Sequence, residues 1–249
     1  MNLILPPRLT TSAEKVRDAA RRRGLDTVQL PTFEVPDGLR GDHLHCGPEF
    51  ADAVGPTLGI AELEAPRGWL AELPRVFVGR DVQLVTLGEA QQLRRPAFVK
   101  SPNDKSVRAM VYTDGSRLPG SDAFDPGTEV LVSDIVDFGT EVRLFVLDGA
   151  VHASGQYASE GRLDLATAGA DALAFAADLL DAQAHTLPSA IVIDIGTVDG
   201  RWAVIEANAA WASGIYLAPA DDVLDVCLRA ARPKADVPAR DRPFIRPGA

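Results

Sequence analysis

Three side chains carry the clearest chemical signal in this sequence: Asp194, Glu206 and Asn208. Asp194 lies inside the apolar run from Ile191 to Ile195. Glu206-Ala207-Asn208 closes a second run that starts at Trp202, and Asp199-Gly200 sits between the two. Two such runs around an Asp-Gly pair predict a β-hairpin. Side chains alternate along a strand, so Glu206 and Asn208 project to one face, and antiparallel pairing can bring Asp194 beside them. Two carboxylates and an amide oxygen are hard ligands, suited to Mg²⁺ shared with phosphate oxygens and water. The competing reading places both acids at solvated strand ends. Against it stands the cost of setting an unpaired acid among isoleucines and valines.

A second group of residues lies upstream. Lys100 ends the apolar run Pro96-Ala97-Phe98-Val99 and is followed by the polar loop Ser101-Pro102-Asn103-Asp104-Lys105-Ser106. A lysine at a strand end beside such a loop can hold phosphates through its charge and the loop's N–H groups, although a lone lysine is weak evidence. The chain has no GxxxxGK[ST] and no GxGxxG after its first strand, so neither common phosphate loop is present. Glu141 and Arg143 alternate onto one strand face. Glu141 could accept from a ribose and Arg143 could clamp a phosphate; a structural Glu–Arg pair accounts for them equally well.

The elements that must position these groups read as alternating α and β. Residues 2 to 5 are a first strand. Thr11-Ser12-Ala13-Glu14 fits a capping box, Val16, Ala19 and Ala20 share a helical face, and Gly24 is a stop. Val28 and Leu30 suggest a second strand, so the opening predicts a parallel strand–helix–strand unit. Further strands are predicted at Arg75-Val76-Phe77-Val78, residues 96 to 100, 130 to 132, 142 to 147 and 151 to 157, with a short helix between Leu87 and Leu93. An Ala/Leu-rich helix from Ala168 to Ala184 presents Leu173, Phe175, Ala176, Leu179 and Leu180 as its stripe, and a closing helix runs from Asp221 to Ala231. The tail from Pro233, rich in Pro, Arg and Asp, reads as a loosely held extension.

Bulk properties narrow the class. The chain has 249 residues, of which 46% are hydrophobic, ample for a buried core. No apolar run approaches the ~20 residues of a membrane span, and the N-terminus reads as a strand and not a leader. A cytoplasmic protein with buried free thiols at Cys46 and Cys227 is expected. A net charge of −10 argues against a broad nucleic-acid surface.

Taken in order, Phe98-Val99-Lys100, Asp134, Glu141, Asp194 and the Glu206-x-Asn208 pair resemble the ATP-grasp superfamily. The segments VFVGRDVQLVTLGEAQQL, FVKSPNDKSVRA and IEANAAWASGIY look like its R-two-K clade. The resemblance implies an α/β N-terminal unit over residues 1–75, then an α+β ATP-grasp fold over residues 76–232, in which two lobes of antiparallel sheet and helices clasp ATP; residues 233–249 form the tail. It implies that Lys100 contacts phosphate and adenine, that Asp134, Ile135 and Val136 frame the adenine, and that Glu141 binds ribose. Arg143 would meet a terminal phosphate, and Asp194, Glu206 and Asn208 would hold Mg²⁺. The implied enzyme is a carboxylate–amine ligase that cleaves ATP to ADP and phosphate through an acylphosphate, with Lys100 and Arg143 as its catalytic cations. Its partners would be small-molecule or peptide carboxylates and amines.

The chain departs from the family pattern in places. Arg75 or Arg80 stands where an earlier lysine is usual, the hinge acid is Asp134 and not Glu, and the loop after Lys100 has no glycine. Phosphate closure would then fall to Lys105, Ser101 or Ser106. Two other classes stay open: a nucleotide-binding regulatory or structural protein without turnover, and a nucleic-acid-modifying factor. His43, His45 and Cys46 read as a strand-end loop in preference to a zinc site. His152 reads as a pocket wall residue, and Trp211, Ser213 and Tyr216 either line an acceptor site or are structural.

Overall fold

The computed structural model describes residues 1–247; the last two positions of the tail, 248 and 249, lie outside the described residues. The chain opens with β1 (Asn2–Leu5), α1 (Thr11–Arg22) and β2 (Asp26–Gln29), and β1 pairs in parallel with β2 and with β3 (His43–Leu44). The expected parallel unit is therefore present. Its helix starts one residue early: Thr10, in extended backbone, is the cap, and its hydroxyl accepts from the Ala13 N–H at 3.2 Å. Val16, Ala19 and Ala20 are fully buried, as the helical spacing requires, and Gly24 takes a φ of 75° beyond the helix.

Then come α2 (Pro48–Leu58), β4 (Ile60–Glu62), α3 (Trp69–Glu72) and α4 (Arg75–Val78). The last overturns the strand expected at Arg75-Val76-Phe77-Val78. Pro74 precedes the turn, Gly79 ends it at φ 65°, and only Val78 is buried while Val76 is 76% exposed. Four apolar-rich residues are too few for periodicity to separate a helical turn from a strand. The strand of this region is β5 (Val82–Thr86), followed by α5 (Leu87–Ala90), whose Thr86 and Glu89 form a capping box.

β5 joins β6 (Ala97–Lys100), β7 (Met110–Tyr112) and β8 (Glu129–Ser133) in an antiparallel sheet of order β5-β8-β6-β7. Residues 134 to 138 then run without regular structure into the larger sheet. That sheet contains β9 (Thr140–Leu147), β10 (Ala150–Ser159), β11 (Arg162–Ala166), β12 (Ala190–Val198) and β13 (Arg201–Asn208), in the order β11-β10-β9-β12-β13. Between β11 and β12 lies α6 (Ala170–Gln183), which buries Ala172, Ala176, Leu179 and Leu180. Leu173, expected in its stripe, is 39% exposed.

The faces of the five-stranded sheet build separate cores. Val142, Leu144, Ile191, Ile193, Ile195 and Val204 pack with α6 on one side. On the other, Phe145 and Val192 share a core with Leu3, Val16 and Phe50 of the opening unit and with Val223 of α7 (Ala220–Ala230). The opening unit is thereby fastened to the face of the larger sheet that also bears Arg143 and Asp194.

The tail is not loosely held. β14 (Ala231–Pro233) pairs antiparallel with β4, and Val237 is buried. Asp241, 1% exposed, accepts from Ser189 N at 2.8 Å and from Ser189 Oγ at 2.6 Å. Arg246 reaches Asp52 at 2.7 Å and Glu64 at 3.1 Å. Composition rich in Pro and Arg says nothing of these specific sockets, so the expectation of a free extension fails. No helix among the described residues is long and apolar enough to cross a membrane.

Candidate active site

β12 is the middle of three strands that carry the charged centre. Asp194 pairs in register with Arg143 of β9 on one side and with Glu206 of β13 on the other. The register slips after this pair, so that Ile195 opposes Val204 and Ile205 is the extra residue of a bulge. The bulge has a consequence. Val204 can be buried with the isoleucines on one face while Glu206 and Asn208, two positions on, face the other.

The charges are mutually satisfied. Arg143 grips Asp194 with both arms, Nε to Oδ1 at 2.8 Å and Nη2 to Oδ2 at 2.7 Å, and its Nη1 donates to Gly214 O at 3.1 Å. Asp194 is 2% exposed. Burial alone would favour neutral Arg143, but the Asp194 charge and hydrogen bonds outweigh it, so the guanidinium stays charged beyond its ordinary range. Lys100 Nζ donates to Glu206 Oε2. Burial works to raise the Glu206 carboxyl, and Lys100 outweighs it, leaving the pKa below the usual carboxylate value. The Asn208 amide donates to Asp194 Oδ2 at 3.1 Å and to Glu206 Oε1 at 2.9 Å. Two carboxylates around an amide are a hard-donor set that fits Mg²⁺, and a half-turn of the Asn208 amide would present its oxygen with them.

Of the residues expected to hold nucleotide, Arg80, Lys100, Asp134, Ile135, Val136 and Glu141 line one cavity of about 460 Å³, walled by strands of both sheets. The Asp134 carboxylate accepts from Asp81 N at 3.0 Å. The N–H groups of Ile135 and Val136 have no partner among the described residues, an edge on which a base can pair. Glu141 accepts from the Tyr157 hydroxyl at 2.7 Å. Burial, with the Asp194 charge and the bond to Glu141, raises the Tyr157 pKa and keeps it a donor. Arg80 differs from a free phosphate ligand: 7% exposed, it donates to Val78, Val204 and Ile205 carbonyls at 2.8 to 3.1 Å and lies over Phe138.

Lys105 and Arg143 stand elsewhere. Both line a second cavity of about 590 Å³, together with Asn208, Trp211, Ser213 and Tyr216. Glu206 belongs to the walls of both cavities. Trp211 and Ser213 thus border the second space, and Tyr216 stacks on Tyr157 with ring centroids 5.0 Å apart, both rings flanking Arg143. His152, expected on the pocket wall, is instead at 3.2 Å from Asp225 and lines neither cavity. His43 donates to Ala231 O at 2.8 Å, and His45 meets the Cys227 sulfur at 3.7 Å. Both cysteines are free and buried, and burial pushes the Cys227 thiol up to about 12.

Several wall residues were not singled out by sequence reasoning, among them Tyr157, Phe138 and Ser133 of the first cavity and Arg8 and Ser12 of the second. Period-two alternation places Tyr157 on the face of the strand that bears Glu141 only once the bulges between β9 and β10 are known. Arg8 and Ser12 had no local signal.

Two antiparallel sheets closing on a cavity, with Lys on the smaller and an Asp, Glu, Asn set on the larger, define an ATP-grasp protein. The ATP-grasp domain of the R-two-K clade, family 2, matches residues 77–226, and the chain belongs to that family. No curated protein matches the sequence. Among solved structures, D-alanine–D-alanine ligase from Bacillus anthracis is similar at 13% identity and a TM-score of 0.53, over 92% of this chain and 96% of that one. A RimK domain ATP-grasp protein from Sphaerobacter thermophilus is similar at 14% identity and a TM-score of 0.50, over 91% and 97%. At these identities the likeness is one of fold.

Proposed function

We propose that the protein is an ATP-dependent ligase that binds Mg²⁺-ATP in the first cavity and activates a carboxylate held in the second. The observation that carries this reading is Glu206, the one acid on both walls, flanked by Lys100 on the nucleotide side and Arg143 on the other. The unpaired N–H groups at Ile135 and Val136 would take the adenine edge, and the second Glu141 oxygen a ribose hydroxyl. Asp194, Glu206 and Asn208 would hold Mg²⁺, which would supply charge neutralisation for the phosphoryl oxygens.

In the balanced reaction the substrate carboxylate oxygen bonds to the γ-phosphorus and the bond to ADP breaks, giving an acylphosphate. An amine or similar nucleophile then attacks the carbonyl carbon, phosphate leaves, and the amine loses a proton. Lys100 and Arg143 would neutralise charge that shifts during transfer. Both already have acid partners, so substrate has to draw them away or share them. Lys105, on the second wall, is assigned to the acceptor and not to the nucleotide.

Hydroxylamine tests the reading, because it intercepts any acylphosphate as a hydroxamate. ATP-dependent hydroxamate from a pool of carboxylic acids, with one ADP per product, is the expected result. ADP formation that no acid stimulates, with no hydroxamate, would leave a nucleotide binder without ligase activity.

A further inference from the structure

The walls of the second cavity are not electrically balanced. Two of its acids are ion-paired, Glu64 with Arg246 at 3.1 Å and Glu206 with Lys100, while the third, Asp104, accepts from the neutral donors Ser106 N at 2.8 Å and Ser106 Oγ at 2.6 Å. Arg143 is matched by Asp194. His45 is neutral near pH 7, since burial pushes it down to about 4. What remains is Arg8 and Lys105, each lining the cavity and each without a hydrogen bond or ion pair among the described residues, against the single charge of Asp104.

These two cations come from separate parts of the chain. Arg8 lies in the loop after β1, and Lys105 in the loop after β6. The Lys105 loop is fixed in place by other residues: Asn103 donates to Ala65 O at 2.8 Å, and Val107 N to Ser101 Oγ at 2.7 Å. Its backbone is thus anchored without using the lysine. In a chain of net charge −10, two cations against one unpaired acid in the lining of a single cavity favour an anionic ligand there.

We infer that the acid taken by this site carries a second anionic group, a carboxylate or a phosphate, which Arg8 and Lys105 bind while the reacting carboxylate lies at the Glu206 end. The inference rests on the ligase reading only for which group reacts. A monocarboxylate would leave both cations without a partner; a second anionic group would supply one.

Calorimetric titration of the full chain separates the two cases without turnover. The probes are valerate, glutarate and 3-phosphonopropionate, each added to protein saturated with Mg²⁺ and a non-hydrolysable ATP analogue. At least one dianion should bind about tenfold or more tighter than valerate, as a charge-assisted contact implies. A stronger response to glutarate assigns a distal carboxylate, and to the phosphonate a distal phosphate; either supports the inference. Arg8→Gln and Lys105→Gln are at exposed positions, and together they should erase the dianion preference, bringing the dianions to the affinity that valerate has in the same variant. Equal binding of mono- and dianions, a preference that survives in the double variant, or no binding by either dianion would overturn the proposal. So would a Lys105→Gln variant that loses nucleotide affinity while keeping dianion affinity. Failure of the ligase reading registers separately, as absent hydroxamate.

Discussion

Arg143 and Asp194 face each other across β9 and β12 and are joined by two parallel hydrogen bonds of 2.8 and 2.7 Å, with side chains 13% and 2% exposed. A buried carboxylate held this way depends on its partner, because an unpaired charge at that depth is costly. Arg143→Ala should destabilise the fold by about 3–5 kcal/mol, and Arg143→Ala with Asp194→Asn should recover much of the loss, since the stranded charge is removed. Urea unfolding of wild type and both variants measures the loss and the recovery. A single variant within about 1 kcal/mol of wild type would show that the pair is not the support its geometry describes.

The same pair changes what Arg143 can do in the reaction. Three of its N–H groups are spent on Asp194 and Gly214, so its contact with a reacting group would use the remaining ones. Arg143→Lys keeps a charge and loses the fork. In the proposed ligase, single-turnover rate should fall about 10²-fold, roughly 2.7 kcal/mol, while the ATP dissociation constant moves less than about tenfold. Weakened ATP binding with unaltered saturated turnover would exclude this role.

Glu206 divides the two cavities and carries Lys100 and Asn208. Glu206→Gln keeps its shape and removes its charge. Turnover should be lost with the fold retained, and the thermal stabilisation given by Mg²⁺-ATP should shrink, since ligand binding to the native state raises stability by mass action. Wild-type turnover in this variant would remove Glu206 from the metal set.

Lys100 and Glu141 line the first cavity from opposite sheets. Lys100→Ala should weaken ATP binding about ten- to a hundredfold, the worth of a charge-assisted hydrogen bond. Glu141→Ala should weaken ATP and reduce the preference over 2′-deoxy-ATP. Unchanged calorimetric affinity in both variants would put the nucleotide elsewhere.

Much of this centre was legible because strand alternation is a short-range rule. A hairpin with Asp199-Gly200 at its turn puts Asp194 near Glu206, and the structure pairs those two. The bulge at Ile205 was not legible: it answers a conflict between burying Val204 and turning Glu206 outward, settled by packing across two faces. The side of the centre on which Arg143 acts was also hidden. Spacing puts it on the Glu141 face, but only the neighbouring strand supplies the Asp194 that claims it. The helical turn at Arg75–Val78 was missed because four residues are too few to show a period, and the docked tail because nothing local marks it. The tail is decided by distant partners, such as Ser189 for Asp241, and not by local pattern.

Those distant partners leave one buried acid poorly matched. Glu62 on β4 is 1% exposed; its Oε1 has no hydrogen-bond partner, and its Oε2 meets Arg246 at a distant 3.5 Å. Burial pushes its pKa up to about 7, with Asp52 and Glu64 adding to the shift and Arg246 opposing it. The folded chain therefore keeps a proton at Glu62 that the unfolded chain gives up near 4.5. Between those values the unfolded state binds fewer protons, so this group's contribution is fully present below pH 4.5 and is lost as pH rises to about 7. A shift of that size corresponds to about 3 kcal/mol. Glu62→Gln removes the titration, so the variant should gain on wild type steadily across that window and hold a constant difference above it. Any loss from the weak Arg246 contact adds an offset that pH does not change while the neighbouring acids stay ionised. Urea midpoints for both proteins at intervals from pH 4.5 to 8 give the comparison, and parallel profiles would mean that Glu62 is charged in the folded chain throughout.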